Sequence, residues 1–252
     1  MHLFSLTSSS MSKIKIALVG CGRISRKHFI AMNALSDQCS LNAICDTSED
    51  RLDNALRVLH EINDSCPSFL EPSKYSSYDQ LLADIRSKFL EIDLVVLTTP
   101  SGLHPSQVIQ ASEVGVNVCT EKPMATRLSD GINMVKACDA AGVKLFVVKQ
   151  NRFNPTLQLL KKQLIKGRFG RLSMISVNVF WQRPQSYYDQ DSWRGTWEFD
   201  GGALMNQASH YVDLLEWLVG PVLSVSAYTA TIDRDIEVED TAALNLSWRN
   251  GA

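Results

Sequence analysis

The sequence excludes several classes of protein by what it lacks. Its 252 residues hold no apolar run near the roughly 20 residues that cross a bilayer. The first ten residues have neither the basic start nor the long apolar stretch of a signal peptide. With a net charge of −2, the chain has no strongly basic surface for nucleic acid or anionic membranes. We therefore expect a cytoplasmic protein that binds a small molecule, with neither nucleic acid nor membrane as partner.

The cysteines also lack a pattern. None of the six belongs to a C-x-x-C pair, and several lie within apolar segments. We interpret them as buried thiols in a reducing compartment, and we expect neither disulfides nor a metal site. They are Cys21, Cys39, Cys45, Cys66, Cys119 and Cys138.

A buried strand that runs directly into a glycine turn is the most informative feature present. Residues 14–20 read as the strand and 23–35 as the helix that follows. Gly20 permits the tight turn, and Gly22 lets the backbone approach a pyrophosphate bound at the helix N-terminus. Ser25 stands where a third glycine or an alanine is usual. The pattern predicts a dinucleotide-binding site.

An acid at the end of the second strand supports this prediction. Strand 41–45 leads into Asp46, at the distance where a carboxylate binds the adenosine ribose 2′-hydroxyl. A carboxylate there repels a 2′-phosphate, which favours NAD over NADP. The alternative is that Asp46 is a turn residue or caps the next helix.

Strands and helices alternate up to Gln150. The alternation predicts a doubly wound parallel sheet, because right-handed crossovers leave few other topologies. The predicted helices are 49–60, 78–88, one ending near Gly115, and 128–141; the further strands are 93–98, 116–119 and 144–148, with a short strand near Tyr75.

After Gln150 the pattern changes to that of an α+β domain. We predict helix 156–166, a half-buried strand at 172–180, an aromatic loop at 187–202, a helix from Asn206 to Gly220, and strands 222–231 and 239–248. The expected organisation is a flexible extension at 1–12, a nucleotide-binding domain at 13–150 and a second domain at 151–252. The last strand expects a partner, so we expect the second domain to be incomplete.

Lys122 is the first candidate catalytic residue. It follows strand 116–119 and lies at the edge of the sheet where ligands bind, beside the predicted nicotinamide crevice. Partial desolvation and the positive charge of NAD⁺ would lower its pKa toward working pH, so that it could bind a substrate hydroxyl and relay its proton. The alternative is a surface lysine that caps Glu121.

Asn206 and His210 form the second candidate group. They are four residues apart on a predicted helix, next to Gly201 and Gly202, and would share one face. Two convergent polar groups at a helix start could clamp an alcohol. The alternative for His210 is a packed histidine without a chemical role.

These motifs resemble the glucose-fructose oxidoreductase / inositol dehydrogenase / rhizopine-catabolism (Gfo/Idh/MocA) family. The carriers are Glu121-Lys122-Pro123 and the glycine pair followed by Asn206 and His210. More narrowly, the stretches TPSGLHP, EKPMATR, LFVVKQNR, GRFGR, WRGTWE and MNQASHYVDLL are similar to bacterial UDP-N-acetyl-glucosaminuronate 3-dehydrogenases of the WlbA/WbpB type.

The resemblance covers residues 13 to 252 and implies a Rossmann domain followed by an α+β domain with an open-faced antiparallel sheet. In the family that sheet also builds a homotetramer. Family members are longer, and this chain lacks the remaining sheet strands.

The resemblance also implies NAD as cofactor, with His210 as the better candidate for general base and Lys122 positioning the hydroxyl. The residues alone do not rank the two. The implied cofactor contacts are Gly20, Gly22, Arg23, Ile24, Asp46, Thr99, Ser101, His104, Glu121, Lys122, Gln150, Trp193 and Arg194. For the last two, the alternative is an aromatic loop that packs on the second domain.

The implied substrate carries a diphosphate and a uronate. Arginine forks suit both anions, and tyrosines stack or donate hydrogen bonds, although most surface arginines are simply solvated. The candidate substrate contacts are Lys122, Lys149, Arg152, Arg183, Tyr187, Tyr188, Asn206 and His210.

The expected function is NAD-dependent oxidation of the C3 hydroxyl of UDP-2-acetamido-2-deoxy-glucuronate to a 3-keto sugar. The resemblance places this step in surface-polysaccharide (O-antigen, lipopolysaccharide) synthesis, with α-ketoglutarate as a candidate acceptor for recycling NADH. One alternative is a dehydrogenase of a free sugar or inositol. Another is a non-catalytic NAD-binding or scaffold protein.

Overall fold

The computed structural model describes residues 12–63 and 69–252. The predicted extension 1–12, apart from its last residue, lies outside the described residues, and so does Cys66. The chain divides into two compact units. The first holds the described residues up to Thr99 together with Gln107–Cys119 and Lys136–Leu145; the second holds Pro100–Ser106, Thr120–Val135 and Phe146–Ala252. The single boundary that we expect at residue 150 stays a prediction.

Six strands form the main sheet, in the order β3-β2-β1-β4-β5-β6. Strand β1 pairs in parallel with both β2 and β4, and β2 pairs in parallel with β3. The predicted parallel sheet is therefore confirmed, including the short strand near Tyr75. The strands are β1 Ile14–Val19, β2 Cys39–Cys45, β3 Ser73–Tyr75, β4 Leu94–Leu97, β5 Asn117–Thr120 and β6 Leu145–Val147.

Five α-helices are described in this alternating part of the chain, over residues 12–63 and 69–150. They are α1 Ser25–Ala34, α2 Glu49–Asn63, α3 Tyr78–Arg86, α4 His104–Glu113 and α5 Leu128–Ala141. The side chains of Leu18 on β1 and Ile44 on β2 are completely buried, and Phe29 of α1 and Leu52 of α2 belong to the same apolar cluster. Burial on both faces explains why these strands are apolar without alternation.

The second unit contains an antiparallel pair of strands, β7 Val222–Ala230 and β8 Thr241–Trp248. Their register runs from Val222 opposite Trp248 to Ala230 opposite Thr241. The helices are α6 Pro155–Ile165, α7 Gln185–Tyr188 and α8 Ser209–Val219. The pair confirms the antiparallel sheet predicted for this part of the chain.

One predicted strand is wrong. Residues 172–180 alternate as a half-buried strand does, but they form no ladder with another segment. Met174 is 82% exposed and Phe180 is 91% exposed. Alternation describes which side chains share a face, whereas a strand also needs a neighbour that accepts and donates its backbone hydrogen bonds. The described structure supplies no such neighbour for this segment.

Within residues 12–63 and 69–252, no helix combines the length and the apolar character needed to cross a membrane.

Candidate active site

The first glycine of the turn after β1 is required by the fold itself. Gly20 has a φ of +96°, a backbone conformation that residues other than glycine rarely adopt. A Cβ on this residue would lie 2.8 Å from the backbone C of Thr98 and the backbone N of Thr99. The amide of Gly20 also donates to the Cys45 carbonyl at 2.7 Å. The turn is thus packed tightly against the ends of two neighbouring strands.

Gly22 differs, because no residue in the described part of the chain fills the space beside it. A Cβ there would meet no atom within 4 Å, and its φ is outside the left-handed range. The helix α1 that follows has no side-chain cap and no acidic residue in its first turn, while Arg23 and Ile24 are exposed. An uncapped helix start beside an open backbone surface fits a dinucleotide pyrophosphate.

Asp46 is tied to the glycine turn. Its Oδ2 accepts from the backbone N of Cys21 at 2.7 Å, and its Oδ1 accepts from Ser48 at 2.9 Å. Since a carboxylate has about four acceptor sites, Asp46 keeps the capacity to accept ribose hydroxyls. Asp46 therefore lies at a turn, as the first alternative expects, and its carboxylate can still accept hydrogen bonds from an adenosine ribose.

The residue at the unusual third position is satisfied internally. The Ser25 hydroxyl is buried and donates to the Gly22 carbonyl at 2.7 Å. Beside it, burial raises the pKa of the Cys21 thiol to about 12, and the Asp46 charge adds to the effect. The thiol is thus neutral and unreactive, as expected of a buried structural cysteine.

Residues after β4 differ in how accessible they are. The Thr99 hydroxyl is partly buried and lies 2.6 Å from Gln107 Oε1. Ser101 is buried, and His104 has no exposed surface at all. The Nδ1 of His104 lies 3.0 Å from the Pro123 carbonyl. A side chain without exposed surface has nothing to offer a ligand, so the position of His104 favours support of the segment that carries Lys122 over cofactor contact.

Among the described residues, Asn206 alone accepts hydrogen bonds from the Lys122 side chain, and it accepts two. Its Nζ donates to the backbone O of Asn206 at 2.9 Å and to the Asn206 Oδ1 at 3.2 Å. The Lys122–Pro123 peptide bond is cis. An ammonium group has three donors, so one remains for a ligand.

The environment of Lys122 lowers its pKa. Burial is the main cause, and the positive charges of Lys149 and Arg183 act in the same direction. The negative charges of Glu121 and Asp200 oppose it. The amine thus loses its proton more readily than a solvated lysine does.

Asn206 lies in a π-helical turn, so its predicted placement on an α-helix with His210 is wrong. The π turn spans Ala203–Gln207, and α8 begins at Ser209. The argument that residues four apart share a helix face does not apply here, since a π turn closes over five residues. The turn itself presents both the carbonyl and the side chain of Asn206 to Lys122.

Two glycines make this turn possible. Gly201 and Gly202 have φ values of +83° and +79°. A Cβ on Gly202 would overlap the Glu239 carboxylate, which is buried and accepts from the backbone N of Leu204 at 2.9 Å. The backbone O of Glu239 accepts from Ala203 at 2.9 Å. Glu239, a residue that the sequence analysis missed, thus caps the start of the π turn.

Asp200 is a second missed residue, and it contacts the other side of the Asn206 amide. Its side chain is only 2% exposed. Oδ1 accepts from Asn206 Nδ2, and Oδ2 accepts from the Gly195 backbone N at 2.8 Å. Burial raises the pKa of this carboxyl, although both hydrogen bonds and the charges of Arg194 and Lys122 oppose the rise.

His210 lies in the first turn of α8 and is 9% exposed. Burial is the first cause of its lowered pKa, and the charges of Lys122 and Lys149 add to it. Glu121 and Asp213 oppose the shift. The imidazole is therefore neutral, and able to accept a proton, at pH values where a solvated histidine is partly protonated.

Arg152 is already engaged within the protein. It binds Asp213 through two hydrogen bonds, Nε to Oδ2 at 2.7 Å and Nη2 to Oδ1 at 2.6 Å. The Nζ of Lys149 lies 3.7 Å from the same Oδ1. Asp213, also missed from sequence, occupies the guanidinium fork that we predicted for an anionic substrate. Gln150 is exposed at the start of the short 3₁₀ turn Gln150–Phe153, which also contains Arg152.

Arg183 retains an unused donor. Its Nη2 donates to Gln207 at 3.0 Å, whereas its buried Nε has no hydrogen-bond partner among the described residues. The guanidinium carbon lies 5.5 Å from the Trp181 ring centroid and 5.3 Å from that of Tyr187. A buried donor without an acceptor suits an anionic ligand group.

Arg194 and the neighbouring aromatic side chains form a stacked cluster. The guanidinium carbon of Arg194 lies 4.5 Å from the Tyr187 ring centroid and 4.6 Å from that of Trp193. Its Nε donates to Asp191 at 3.1 Å. Tyr188 is buried against Tyr187 in an edge-to-face contact. Packing within the loop thus accounts for these contacts of Trp193 and Arg194.

Two family models match the chain. One is described as an oxidoreductase family with an NAD-binding Rossmann fold and matches residues 14–149. The other is described as the GFO/IDH/MocA C-terminal domain and matches residues 157–252.

Solved structures of two dehydrogenases are similar over almost the whole chain. The WlbA dehydrogenase from Chromobacterium violaceum, in complex with NADH and UDP-GlcNAcA, is 53% identical with a TM-score of 0.86 and covers 99% of this chain and 68% of its own. The WlbA dehydrogenase from Bordetella pertussis, in complex with the same two ligands, is 55% identical with a TM-score of 0.85. The match covers 96% of this chain and 69% of that chain.

Curated relatives are more distant. D-apiose dehydrogenase from Paraburkholderia graminis is 28% identical over 99% of this chain. The chain spans 61%, 49% and 40% of the lengths of the first three curated relatives that it matches.

The two glycines after β1 should respond differently to the same substitution. Gly20→Ala adds a Cβ to a strained and crowded backbone, so it should lower the free energy of unfolding by about 3 kcal/mol or more in denaturant titration. Gly22→Ala should change that free energy by less than about 1 kcal/mol. It should nevertheless weaken NAD binding in calorimetry at least tenfold, or about 1.4 kcal/mol. Unchanged NAD affinity in Gly22→Ala would remove the glycine turn from the cofactor site.

A second pair tests the contact between Gly202 and Glu239. Gly142 has a similar φ of +70° but open space around it. Gly142→Ala should therefore cost about 1 kcal/mol of unfolding free energy, the backbone strain alone. Gly202→Ala must also displace a buried carboxylate and should cost at least about 2 kcal/mol more. Equal costs in thermal or denaturant unfolding would contradict the contact.

Proposed function

The chain belongs to the Gfo/Idh/MocA oxidoreductase family, and from that premise we propose that it is an NAD-dependent dehydrogenase of a UDP-linked sugar. The specific reaction that we propose is oxidation of the C3 hydroxyl of UDP-2-acetamido-2-deoxy-glucuronate to the 3-keto sugar. The observation that carries the proposal is the partly buried Lys122. One of its three N–H donors has no acceptor among the described residues, and its positive charge helps to lower the pKa of the buried His210.

The choice of substrate rests on the relatives and on one feature of this chain. Both WlbA dehydrogenases are in complex with NADH and UDP-GlcNAcA. In this chain, the buried Nε of Arg183 has no partner among the described residues, which suits a diphosphate or carboxylate oxygen. Arg152, whose guanidinium is bound by Asp213, is the weaker candidate for that role.

Oxidation of the alcohol removes a proton from oxygen and a hydride from carbon. Lys122 donates its third N–H to the substrate hydroxyl and orients it, while two donors remain on Asn206. The neutral His210 accepts the hydroxyl proton as the carbonyl forms, and it later loses that proton to solvent. A hydrogen bond from Lys122 also stabilises negative charge on the oxygen as the proton leaves.

Bound NAD⁺ would supply the acceptor for the hydride that leaves the carbinol carbon. The residues that would hold it are the open backbone at Gly22 with the start of α1, together with Asp46 at the adenosine ribose. Thr99, Ser101, Glu121 and Gln150 remain proposed contacts.

We further propose that the protein takes part in O-antigen or lipopolysaccharide sugar synthesis and that it forms a homotetramer. α-Ketoglutarate is a candidate oxidant for bound NADH. The free cysteines of the described residues fit a reducing, cytoplasmic compartment.

Turnover on a panel of sugars tests the proposal. Purified protein with NAD⁺ should form NADH, detected by absorbance, with UDP-N-acetyl-glucosaminuronate, and added α-ketoglutarate shows whether the keto acid recycles the cofactor. Free sugars, including D-apiose, and inositols should give no comparable signal. Turnover with a free sugar or inositol alone would reassign the substrate. If the protein binds NAD but turns over none of these sugars or inositols, the result would favour a non-catalytic protein.

The pH dependence separates the roles of Lys122 and His210. His210→Ala should lower kcat by about 10²- to 10⁴-fold, whereas the exposed Lys136→Ala control should not. Because the pKa of His210 is lowered, the acid limb of kcat/KM should lie below about pH 6.5. Lys122→Ala removes a positive charge that lowers this pKa, so the limb of its residual activity should move to higher pH. Near-normal turnover in His210→Ala would exclude it as the base.

A further inference from the structure

We propose that Asp200 is a positioning residue that acts on Lys122 through Asn206. Its buried carboxylate holds the Asn206 amide in the one orientation that turns the amide oxygen toward the lysine ammonium. The proposal deepens the proposed function, since it concerns the group that orients the substrate hydroxyl there.

The three residues form a chain of donors and acceptors with a defined direction. Asn206 donates from Nδ2 to Asp200 and accepts at Oδ1 from Lys122 Nζ, 3.2 Å away. A flipped amide would set its NH₂ against the ammonium and its oxygen against the carboxylate. Both contacts would then be repulsive, so the carboxylate selects one of two amide orientations that are nearly equal in shape.

The carboxylate is itself fixed. Asp200 lies next to the Gly201-Gly202 turn, is 2% exposed, and its second oxygen accepts from the Gly195 backbone N at 2.8 Å. A side chain held on one oxygen by the backbone leaves the other in a constant position for Asn206. This is the arrangement that a group needs in order to orient another residue.

Asp200 also acts on Lys122 through charge. The charged groups that influence the amine are Glu121 and Asp200, which favour its protonated form, and Lys149 and Arg183, which oppose it. Arg194 and Lys122 are the cations that influence Asp200. Removal of the Asp200 charge therefore favours the neutral amine, and loss of the Asn206 acceptor acts in the same direction.

A pair of variants gives opposite predictions. In Asp200→Asn, the oxygen of the new amide can still accept from the Gly195 backbone N, but its NH₂ group then faces the NH₂ group of Asn206. The Asn206 amide is expected to rotate in response, which turns its Oδ1 away from Lys122. The pKa of Lys122 should fall. In the exchanged variant Asp200→Asn with Asn206→Asp, the hydrogen bond between the two positions reverses and the carboxylate lies directly on the ammonium. The pKa of Lys122 should then rise above that of the unaltered protein.

Competitive acetylation of lysines across a pH series, read by mass spectrometry, measures this pKa without any substrate. The exposed Lys136 provides the internal standard in each sample. The labelling midpoint of Lys122 should move down in Asp200→Asn by about one pH unit, a tenfold gain in neutral amine at a given pH. It should move up in the exchanged variant. Asp189→Asn, the same change at an exposed position nearby, should leave the midpoint in place.

Turnover provides the second readout. Asp200→Asn should lower kcat about tenfold, since it disturbs the orientation of the hydroxyl. The fold-loss of kcat in the exchanged variant should be smaller than the product of the losses in Asp200→Asn and in Asn206→Asp. A midpoint that stays fixed in Asp200→Asn, or that falls in both variants, would overturn the proposal. If Asp200→Asn does not fold, the exchanged variant still decides, because the reversed pair should fold and raise the midpoint. Absence of turnover on every sugar would refute the proposed function but leave the labelling result intact.

Discussion

The contact between the Lys122 ammonium and Asn206 is the constraint on which the second unit depends. A partly buried ammonium must have acceptors, because burial removes the water that would otherwise solvate it. Asn206 supplies two of them from one residue, a carbonyl and an amide oxygen. Asn206 lies in the π turn Ala203–Gln207, and from this turn both acceptors reach Lys122. Glu239 at the start of this turn and Asp200 on the far side of the amide then hold it in place.

Two glycine pairs serve opposite purposes in this chain. After β1, Gly20 is crowded by the ends of neighbouring strands, whereas Gly22 borders open space. Before the π turn, both glycines have positive φ, and the space beside Gly202 is filled by the protein's own carboxylate. The first pair leaves room for a ligand anion at a helix start. The second pair makes room for an internal anion, the Glu239 carboxylate, that caps the π turn.

Much of the fold follows from the sequence because its signals are local. The apolar strands, the glycine turn and the Asp46 position predict a parallel sheet with a nucleotide site, and helix 128–141 has the bounds observed for α5. Lys122, Asn206 and His210 could be selected as candidates from their motifs. The π turn could not, since five residues are too few for a periodic pattern to distinguish a π turn from the first turn of an α-helix.

The residues missed from sequence depend on partners that only the folded chain brings together, 61 residues apart for Asp213 and Arg152 but only six for Asp200 and Asn206. Asp200, Asp213 and Glu239 are ordinary acids in the sequence, and only folding brings them to Asn206, Arg152 and the turn. The strand predicted at 172–180 fails for a related reason, because its pattern could not reveal that no neighbour pairs with it. His104 shows the converse case, a polar residue in a loop predicted to bind ligand that the fold buries completely.

A crystal structure of the protein with the sugar nucleotide bound would show whether Lys122 and His210 meet at the reacting hydroxyl. The C3 oxygen should lie within roughly 3 Å of Lys122 Nζ and of an imidazole nitrogen of His210, with Asn206 Oδ1 still accepting from the lysine. A sugar bound away from these nitrogens, or a Lys122 side chain released from Asn206 and turned to solvent, would contradict this arrangement.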